Sequence, residues 1–387
     1  MKKQGLCVFF LVVLMFIVVG CGNPNGIDIS EHIPGKLPRV FNSGDLSIHF
    51  LELGNKYTGD CVYINYDDID IIIDAGSRQS SAATICAYID QYIHDNKLEY
   101  VIATHAHQDH IAGFYTARNV TGVLDAYDIG TIIDFPLTNS GTATYNNYIR
   151  TRDDAVERGA AHYNALQCYN NADGGQRVYD LGGGVELEIL YNYYYENSSG
   201  NENNYSVCVR IVQGDKQYIF TGDLEKDAED RLADYYEANG GLGHCVLYKG
   251  GHHGSSTSSN EKLMDAITPE YICVCTCAGS PEYTPTIPNQ FPTQEFINRI
   301  APYTDKVYLT TLVTDYADNQ YSSFNGDIIF LVSEGEISVF GSNNDRKLKD
   351  TEWFKNNSEM PAAWIEDSAP LPEVSSIRRS ALTRFLE

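Results

Sequence analysis

The segment Ile102–Gly113, IATHAHQDHIAG, places three histidines and one aspartate within six consecutive residues. It continues the apolar run Tyr100–Thr104, which predicts a buried strand that ends where the histidines begin. Histidines at alternate positions of an extended backbone face the same way, and the turn that follows can present two more ligands. Imidazole and carboxylate groups together suit zinc and related divalent ions. The pattern therefore predicts a metal site that contains His105, His107, Asp109 and His110.

The overall composition is that of a globular protein with an acidic surface. The chain has 387 residues, of which 43% are hydrophobic and 20% charged, and its formal net charge is −25. Such a surface repels a phosphate backbone unless a local basic patch offsets it. A small-molecule or cell-envelope phosphoester substrate is therefore favoured over nucleic acid as the partner.

The N-terminus has the pattern of an export signal. Lys2 and Lys3 precede the apolar run Leu6–Val19, which is short for a membrane span, and Gly20-Cys21 follows. This junction resembles a bacterial lipobox, in which the cysteine is acylated. We predict a lipoprotein signal peptide over residues 1–20, a lipid anchor at Cys21 and an extracytoplasmic location at the membrane. A plain signal peptide cut near Gly20, or an uncleaved anchor, remains the alternative.

The rest of the chain divides by its composition and periodicity. Residues 21–44 are rich in Gly, Pro, Asn and Ser and predict a tether. Strand and helix patterns alternate over residues 45–343, with helices predicted at Ser81–Asp95, Lys226–Ala238 and Thr293–Ile300, which favours a layered α/β sandwich over a single parallel sheet. His162, within AAHYNAL, is predicted to lie in a helix. Residues 344–387 form a C-terminal extension without clear periodicity.

Three further segments join the histidine cluster in a resemblance to a known family. The segment THAHQDHIAG resembles the HxHxDH signature of the metallo-β-lactamase-fold hydrolases. Ile71–Gly76 (IIIDAG), Phe220–Asp223 (FTGD) and Lys249–Ser255 (KGGHHGS) are similar to the family's other motifs, in the expected order. The resemblance implies an αββα four-layer sandwich and a hydrolase domain over residues 45–343. It also implies a centre of two divalent metal ions, with zinc favoured and Mn²⁺ or Fe²⁺ left open.

Two subgroups of the family are similar to this chain. Ile48–Gly54 (IHFLELG) and Gly59-Asp60 resemble the hydrolase domain of ComEC-type competence proteins. The polar loop before Asn203–Val207 (NNYSV) is also similar to that of the pneumococcal phosphorylcholine esterase. Both relatives lack the usual third histidine of the first metal position, and the same absence is expected here.

The resemblance implies a role for each matched position. His105 and His107 would hold the first metal, and the second would be held by Asp109, His110 and His253. Asp223 would bridge the two metals, and Asp74 would support the histidines from behind. Asp109, Asp223 and His252 are the expected catalytic residues, with His252 as donor to the leaving group or to a phosphoryl oxygen. His252 in place of His253 as the metal ligand remains the alternative.

Residues expected near a substrate come from two loops. Tyr193 and Tyr194 lie in the tyrosine-rich segment before Asn204, and Ser255 follows the last histidine motif. Aromatic rings can stack on a sugar or a cationic headgroup, and a serine or asparagine can bind a phosphoryl oxygen. Ordinary packing of an exposed loop is the alternative.

The sequence favours one activity and leaves three others open. A surface-anchored hydrolase would cleave a phosphodiester or phosphate ester bond by means of a metal-bound hydroxide. A ComEC-like extracellular nuclease would use the same centre, as would a lactonase or another hydrolase of C–O or C–S esters. A binding protein with a vestigial metal site is the remaining alternative.

Overall fold

The computed structural model describes residues 35–54, 59–315 and 320–365. The proposed signal peptide, Cys21 and residues 21–34 of the tether lie outside the described residues. No helix in the described ranges combines the length and the apolar character that are needed to cross a bilayer.

Two eight-stranded sheets form the centre of the fold. The first contains β1 (Leu46–Phe50), β2 (Val62–Tyr66), β3 (Ile69–Ile73), β4 (Lys97–Ile102), β5 (Asp128–Asp134), β6 (Ala161–Asn164), β15 (Ile328–Ser333) and β16 (Glu336–Gly341). Their spatial order is β16-β15-β1-β2-β3-β4-β5-β6. The strands from β3 to β6 run parallel to one another, and the others pair antiparallel.

The second sheet contains β7 (Val178–Gly182), β8 (Val185–Ile189), β9 (Val209–Gln213), β10 (Lys216–Phe220), β11 (Leu247–Lys249), β12 (Tyr271–Ala278), β13 (Val307–Asp315) and β14 (Gln320–Ser323). These strands lie in the order β14-β13-β12-β11-β10-β9-β8-β7. Here the strands from β10 to β13 are parallel.

Helices cover the outer faces of both sheets. They are α1 (Ser81–Ile89), α2 (Gln108–Ile111), α3 (Val123–Ala126), α4 (Ala143–Glu157), α5 (Ala165–Tyr169), α6 (Lys226–Ala238), α7 (Glu261–Ile267), α8 (Gln294–Ile300), α9 (Glu352–Asn357) and α10 (Ala362–Ile365). One hydrophobic core joins the two sheets with α1, α3 and α4, and a second lies between the second sheet and α6–α8. This arrangement confirms the predicted αββα sandwich.

Helix α6 shows how the sequence specifies an outer layer. Its buried residues include Ala228, Leu232 and Tyr236, which recur at the spacing of one helical face. Asp227 lies in the first turn, where negative charge is stabilised by the helix dipole. The helix begins and ends where the sequence predicts it to.

The parallel strands bring the motif-bearing turns of the two sheets to one edge of the sandwich. Ile73 of β3 pairs with Ile102 of β4, so Asp74 and the histidine segment leave the first sheet side by side. In the second sheet Ile219 of β10 pairs with Tyr248 of β11, which aligns the two turns that follow these strands. Loops at the carboxyl ends of parallel strands are the usual place for a site in α/β folds.

The prediction that His162 lies in a helix is wrong. His162 belongs to β6, a short edge strand whose four residues are all half-buried, and its Nε2 lies 2.9 Å from Asp134 Oδ1. A four-residue strand followed directly by α5 carries too little alternation to be separated from a helical pattern.

Both flanking segments contact the domain where the structure describes them. In residues 35–44, Leu37 is buried and Phe41 stacks on Tyr92 with ring centroids 5.8 Å apart. In the C-terminal extension, Phe354 and Trp364 are buried in the second core, and Trp364 Nε1 donates a hydrogen bond to Thr304 O (2.9 Å). The described part of the extension therefore packs on the sandwich.

Candidate metal centre

His110 lies at the centre of the residue cluster. Its Nε2 is 3.0 Å from Asp223 Oδ2, and its Nδ1 is 2.7 Å from Asp74 Oδ2. Asp74 also accepts hydrogen bonds from Thr104 N (2.8 Å) and from Thr104 Oγ1 (2.7 Å). The carboxylate of Asp74 is therefore fixed behind His110, and it holds the imidazole with Nε2 directed into the cluster.

The two adjacent histidines of the GHHG turn have different surroundings. His253 is buried, and its Nε2 lies 3.3 Å from Asp109 Oδ2 and 3.4 Å from Asp223 Oδ2. His252 is 19% exposed, and its Nε2 is 3.8 Å from Asp223 Oδ2. Both residues adopt left-handed backbone conformations, with φ of +45° and +53°, a strained geometry that is typical of functional sites. The turn thus directs His253 into the cluster and leaves His252 at its rim.

The first metal position has fewer candidate ligands. His105 is buried and His107 exposed, and His105 Nε2 lies 3.0 Å from His107 Nδ1. Ser206 Oγ is 3.4 Å from His105 Nδ1 and accepts a hydrogen bond from Asp223 N (3.2 Å). His162 is bonded to Asp134 on β6, and it does not join this pair. His105 and His107 therefore lie next to each other beside the cluster, and Ser206 connects His105 to Asp223.

The histidine and carboxylate groups of the cluster are ligand types that suit divalent metal ions, and some of their buried ligand atoms lack a hydrogen-bond partner. Ligand atoms of Asp60, His110, Asp223 and His253 all lie within 4.8 Å of one another, and all four residues are buried. Among the described residues, His253 Nε2 and Asp223 Oδ1 have no hydrogen-bond partner, although both are buried. Buried polar atoms are costly without a partner, and a shared cation satisfies several of them at once.

Mutual electrostatics keep the acidic ligands ionised. Burial raises the pKa of Asp109 and Asp223, but His110 and His253 outweigh it and hold both pKa values below the usual range. Burial lowers the pKa of His110, and the carboxylates of Asp223 and Asp74 reverse this and raise it well above its usual value. The carboxylates are thus available as ligands at neutral pH, and an entering metal ion would displace protons from the histidines.

Two buried charges beneath the cluster were not among the predicted ligands. Lys249 Nζ forms an ion pair with Asp60 Oδ2, and both side chains are almost fully buried. Because Asp60 is already paired with this ammonium group, we assign it a supporting role and leave Asp109 as the ligand. The pair Gly59-Asp60 and the segment that begins at Lys249 both stand out in the sequence, but the pattern alone assigns these two residues no role.

An aromatic wall beside the cluster was also missed. The hydroxyl of Tyr283 donates a hydrogen bond to Asp109 Oδ2 (2.9 Å), and its ring stacks on His253 with centroids 5.3 Å apart. Phe291 continues the wall, 5.0 Å from Tyr283 between ring centroids. The loop between β12 and α8 carries both residues, and it has no motif that predicts this placement.

The polar segment before β9 supports the site from one side. Glu202 Oε1 accepts a hydrogen bond from Ala106 N (3.3 Å), between the two histidines of the first metal position. Asn203 Nδ2 donates to Glu225 Oε1 (2.9 Å), and Asn204 Oδ1 accepts from Glu225 N (3.3 Å). Glu225 Oε1 in turn lies 3.6 Å from His252 Nδ1. Asn204 therefore supports the turn beside His252.

The other residues expected near a substrate have partners in the structure. The ring of Tyr193 packs under Arg231, 4.3 Å from its guanidinium carbon, and the Tyr194 hydroxyl contacts Asp227. Both contacts are with α6. Ser255 is buried, with its Oγ 3.1 Å from Thr257 Oγ1, which also lies 3.1 Å from His252 Nδ1.

Comparison with known proteins agrees with the fold and the cluster. Residues 54–149, which include the histidine segment, match the sequence model of the metallo-beta-lactamase superfamily. Residues 54–149 are therefore similar to the domain of this superfamily. The described residues include a buried cluster of two histidines and two aspartates that could hold a metal ion.

Individual relatives are similar over different extents. The competence protein ComA of Neisseria gonorrhoeae is 33% identical to the chain over 129 residues, which are 33% of this chain and 17% of that protein. The metallo-β-lactamase-fold protein YhfI of Bacillus subtilis is 11% identical, with a TM-score of 0.42, over 74% of this chain and 99% of its own. A diphosphatase of the PhnP family is 12% identical, with a TM-score of 0.36, over 74% of this chain and 98% of its own.

Proposed function

We propose that the protein is a dinuclear-metal hydrolase that cleaves a phosphodiester or phosphate ester bond. One observation carries the proposal: Asp109, His110, Asp223 and His253 converge from three separate turns, and His253 Nε2 and Asp223 Oδ1 are buried without a hydrogen-bond partner. His105 and His107 would hold the first metal. Asp109, His110 and His253 would hold the second, with Asp223 between them. Two divalent ions lower the pKa of a water molecule to about 7 and polarise a phosphoryl oxygen.

The residues at the rim support the later steps of such a reaction. His252 is partly exposed, and its Nδ1 is oriented by Thr257 Oγ1 at 3.1 Å and by Glu225 at 3.6 Å. Its Nε2 faces the cluster and is free to donate a proton to the departing oxygen. Tyr283 lies beside the cluster with its hydroxyl donated to Asp109 Oδ2 (2.9 Å), and this hydroxyl would be available to a phosphoryl oxygen once it turns from that carboxylate.

The proposed place of action is the outer face of the cytoplasmic membrane. The basic start, the apolar run and Gly20-Cys21 support acylation of Cys21, with cell-envelope phosphoesters or phospholipid headgroups as substrates. Replacement Cys21→Ala is expected to release the protein from membranes into the soluble fraction. Equal membrane retention of this variant would contradict the lipid anchor.

The activity is tested with a substrate panel on the purified, metal-loaded protein. We expect hydrolysis of bis(p-nitrophenyl) phosphate and of phosphorylcholine esters with zinc or manganese. Asp109→Ala and Asp223→Ala are expected to remove the activity while the circular dichroism spectrum stays that of the wild type. Wild-type protein that carries two metal ions and remains inactive on every phosphoester would contradict the proposal.

A nuclease is the second candidate, and the similarity to the competence protein favours it. The net charge of −25 argues against tight binding of a nucleic-acid backbone. Cleavage rates on single-stranded DNA and on small diesters, measured at the same salt concentration, distinguish the two activities. Faster cleavage of single-stranded DNA than of small diesters would make the nuclease the better description.

A further inference from the structure

A buried ion pair lies directly beneath the second metal position. The side chains of Lys249 and Asp60 retain only 2% and 1% of their surface. Removing two charges from water costs several kcal/mol per ion even after relaxation, so a buried ion pair is weak evidence for a stabilising role. The position of the pair is therefore its informative feature.

Lys249 connects both turns that carry ligands of the second sheet. Its ammonium group donates a hydrogen bond to Gly222 O (3.2 Å) and lies 4.0 Å from Asp223 Oδ1. Lys249 itself ends β11, and the turn with His253 follows directly. The Lys249 side chain thus links the turn that carries Asp223 to the start of the turn that carries His253.

Asp60 extends this link to the ring of His253. Asp60 Oδ1 lies 3.1 Å from His253 Nδ1, which is also 3.0 Å from Cys275 O, while Nε2 on the other side of the ring faces Asp109 and Asp223. Asp74 stands in the same relation to His110, whose Nδ1 it contacts at 2.7 Å. Each histidine of the second metal position therefore has a buried carboxylate at Nδ1, and that arrangement orients a metal-binding imidazole.

Charge balance gives the ammonium group a further role. Four carboxylates surround the cluster, those of Asp60, Asp74, Asp109 and Asp223. Among the described lysines and arginines, Lys249 is the one whose ion pairs reach these groups. Without it, Asp60 would be a buried, uncompensated anion, and its position against His253 would no longer be fixed.

We propose that Lys249 and Asp60 form a positioning pair that fixes His253 and Asp223 for the second metal. The inference rests on the metal centre of the proposed function and is independent of its substrate. Neither residue touches the substrate, and both act through the ligands that they hold.

Three variants test the pair: Lys249→Met, Asp60→Asn and the double variant Asp60→Asn/Lys249→Met. The measurements are zinc affinity, by competition with a chromogenic chelator, and the midpoint of thermal unfolding. We expect each single variant to bind the tighter of the two zinc ions about 10–100-fold more weakly than the wild type, the usual effect of losing an outer-shell partner. In the double variant the unfolding midpoint is expected to recover, because no uncompensated charge remains, while the zinc affinity stays low.

A matched control removes an ion pair away from the metal edge. Arg210 and Glu188 pair across β8 and β9, and both are largely buried. The double variant Glu188→Gln/Arg210→Met is expected to alter the unfolding midpoint and to leave zinc affinity unchanged.

A double variant at Asp60 and Lys249 that binds zinc as tightly as the wild type would overturn the proposal, since the pair would then serve folding alone. Where a single variant does not fold, the double variant decides. The affinity measurement contains no substrate. Inactivity of the wild type on phosphoesters would therefore contradict the proposed function, and the inference about the positioning pair would still stand.

Discussion

Asp223 Oδ2 lies 3.0 Å from His110 Nε2, although the two residues are 113 positions apart in the chain. The first sheet delivers His110 and the second delivers Asp223, each in a turn that follows a parallel strand. The contact therefore exists only where the two sheets meet at one edge. The domain builds its metal centre across the sandwich, and neither sheet holds it alone.

Replacement Asp74→Asn is expected to weaken metal binding about 10–100-fold, because the variant loses the charged partner that orients His110. Chelator competition measures the affinity. Asp70→Asn is the matched control: Asp70 lies in β3, the strand that ends just before Asp74, is also buried, and bonds to Asn65 and Tyr63 rather than to the cluster. Equal metal affinity in Asp74→Asn and the wild type would rule out the supporting role of Asp74.

His252→Gln is expected to lower kcat in a way that depends on the leaving group. A general acid contributes roughly 10²–10⁴-fold when the departing oxygen needs a proton. Alkyl phosphodiesters should therefore lose far more activity than p-nitrophenyl esters, whose leaving group departs readily as an anion. Initial rates on matched pairs of esters provide the measurement. A uniform loss on both kinds of ester would exclude His252 as the proton donor.

Tyr283→Phe is expected to raise KM for a phosphodiester roughly tenfold, because a hydrogen bond to a charged group contributes about 1.5–3 kcal/mol. The ring of Tyr283 is 39% exposed, and the variant keeps its stacking on His253. Tyr303→Phe is the control, since its hydroxyl also donates to an aspartate, Asp265 of α7, on a different face. Unchanged KM in Tyr283→Phe would leave this hydroxyl without a role in binding.

Because His49 is buried, we expect the protein to lose folding stability in acid, independently of the metal centre. Burial, followed by the charge of Arg39, lowers the pKa of His49 to about 3. The unfolded chain therefore binds a proton between pH 6.5 and about 3 that the folded chain excludes, and stability falls as the pH drops through this window.

Urea unfolding at several pH values measures this effect, and each unit of pKa shift corresponds to about 1.4 kcal/mol. His49→Gln is expected to show a shallower decline in the free energy of unfolding below pH 6.5 than the wild type. Exposed His244→Gln is the control and should keep the wild-type slope. A slope in His49→Gln as steep as that of the wild type would contradict the assignment.

The sequence predicts the fold, and the segments that meet at the cluster, because both depend on strong local patterns. The histidine segment follows an apolar strand, and the buried residues of α6 recur at the spacing of one helical face. Each element can therefore be predicted from its own residues. Asp60, Lys249 and Tyr283 gain their roles only through contacts between distant segments, such as the 174 positions between Tyr283 and Asp109. The error at His162 arose because the four residues of β6 are too few to show a strand's alternation.

The central claim is that this edge of the sandwich binds two divalent ions. The most direct test is the metal content of the purified protein by mass spectrometry after loading with zinc and removal of the excess. We expect two zinc ions per chain for the wild type, and a loss of bound zinc in Asp223→Ala with the fold retained. Fewer than one ion per wild-type chain, or equal content in the two proteins, would contradict it.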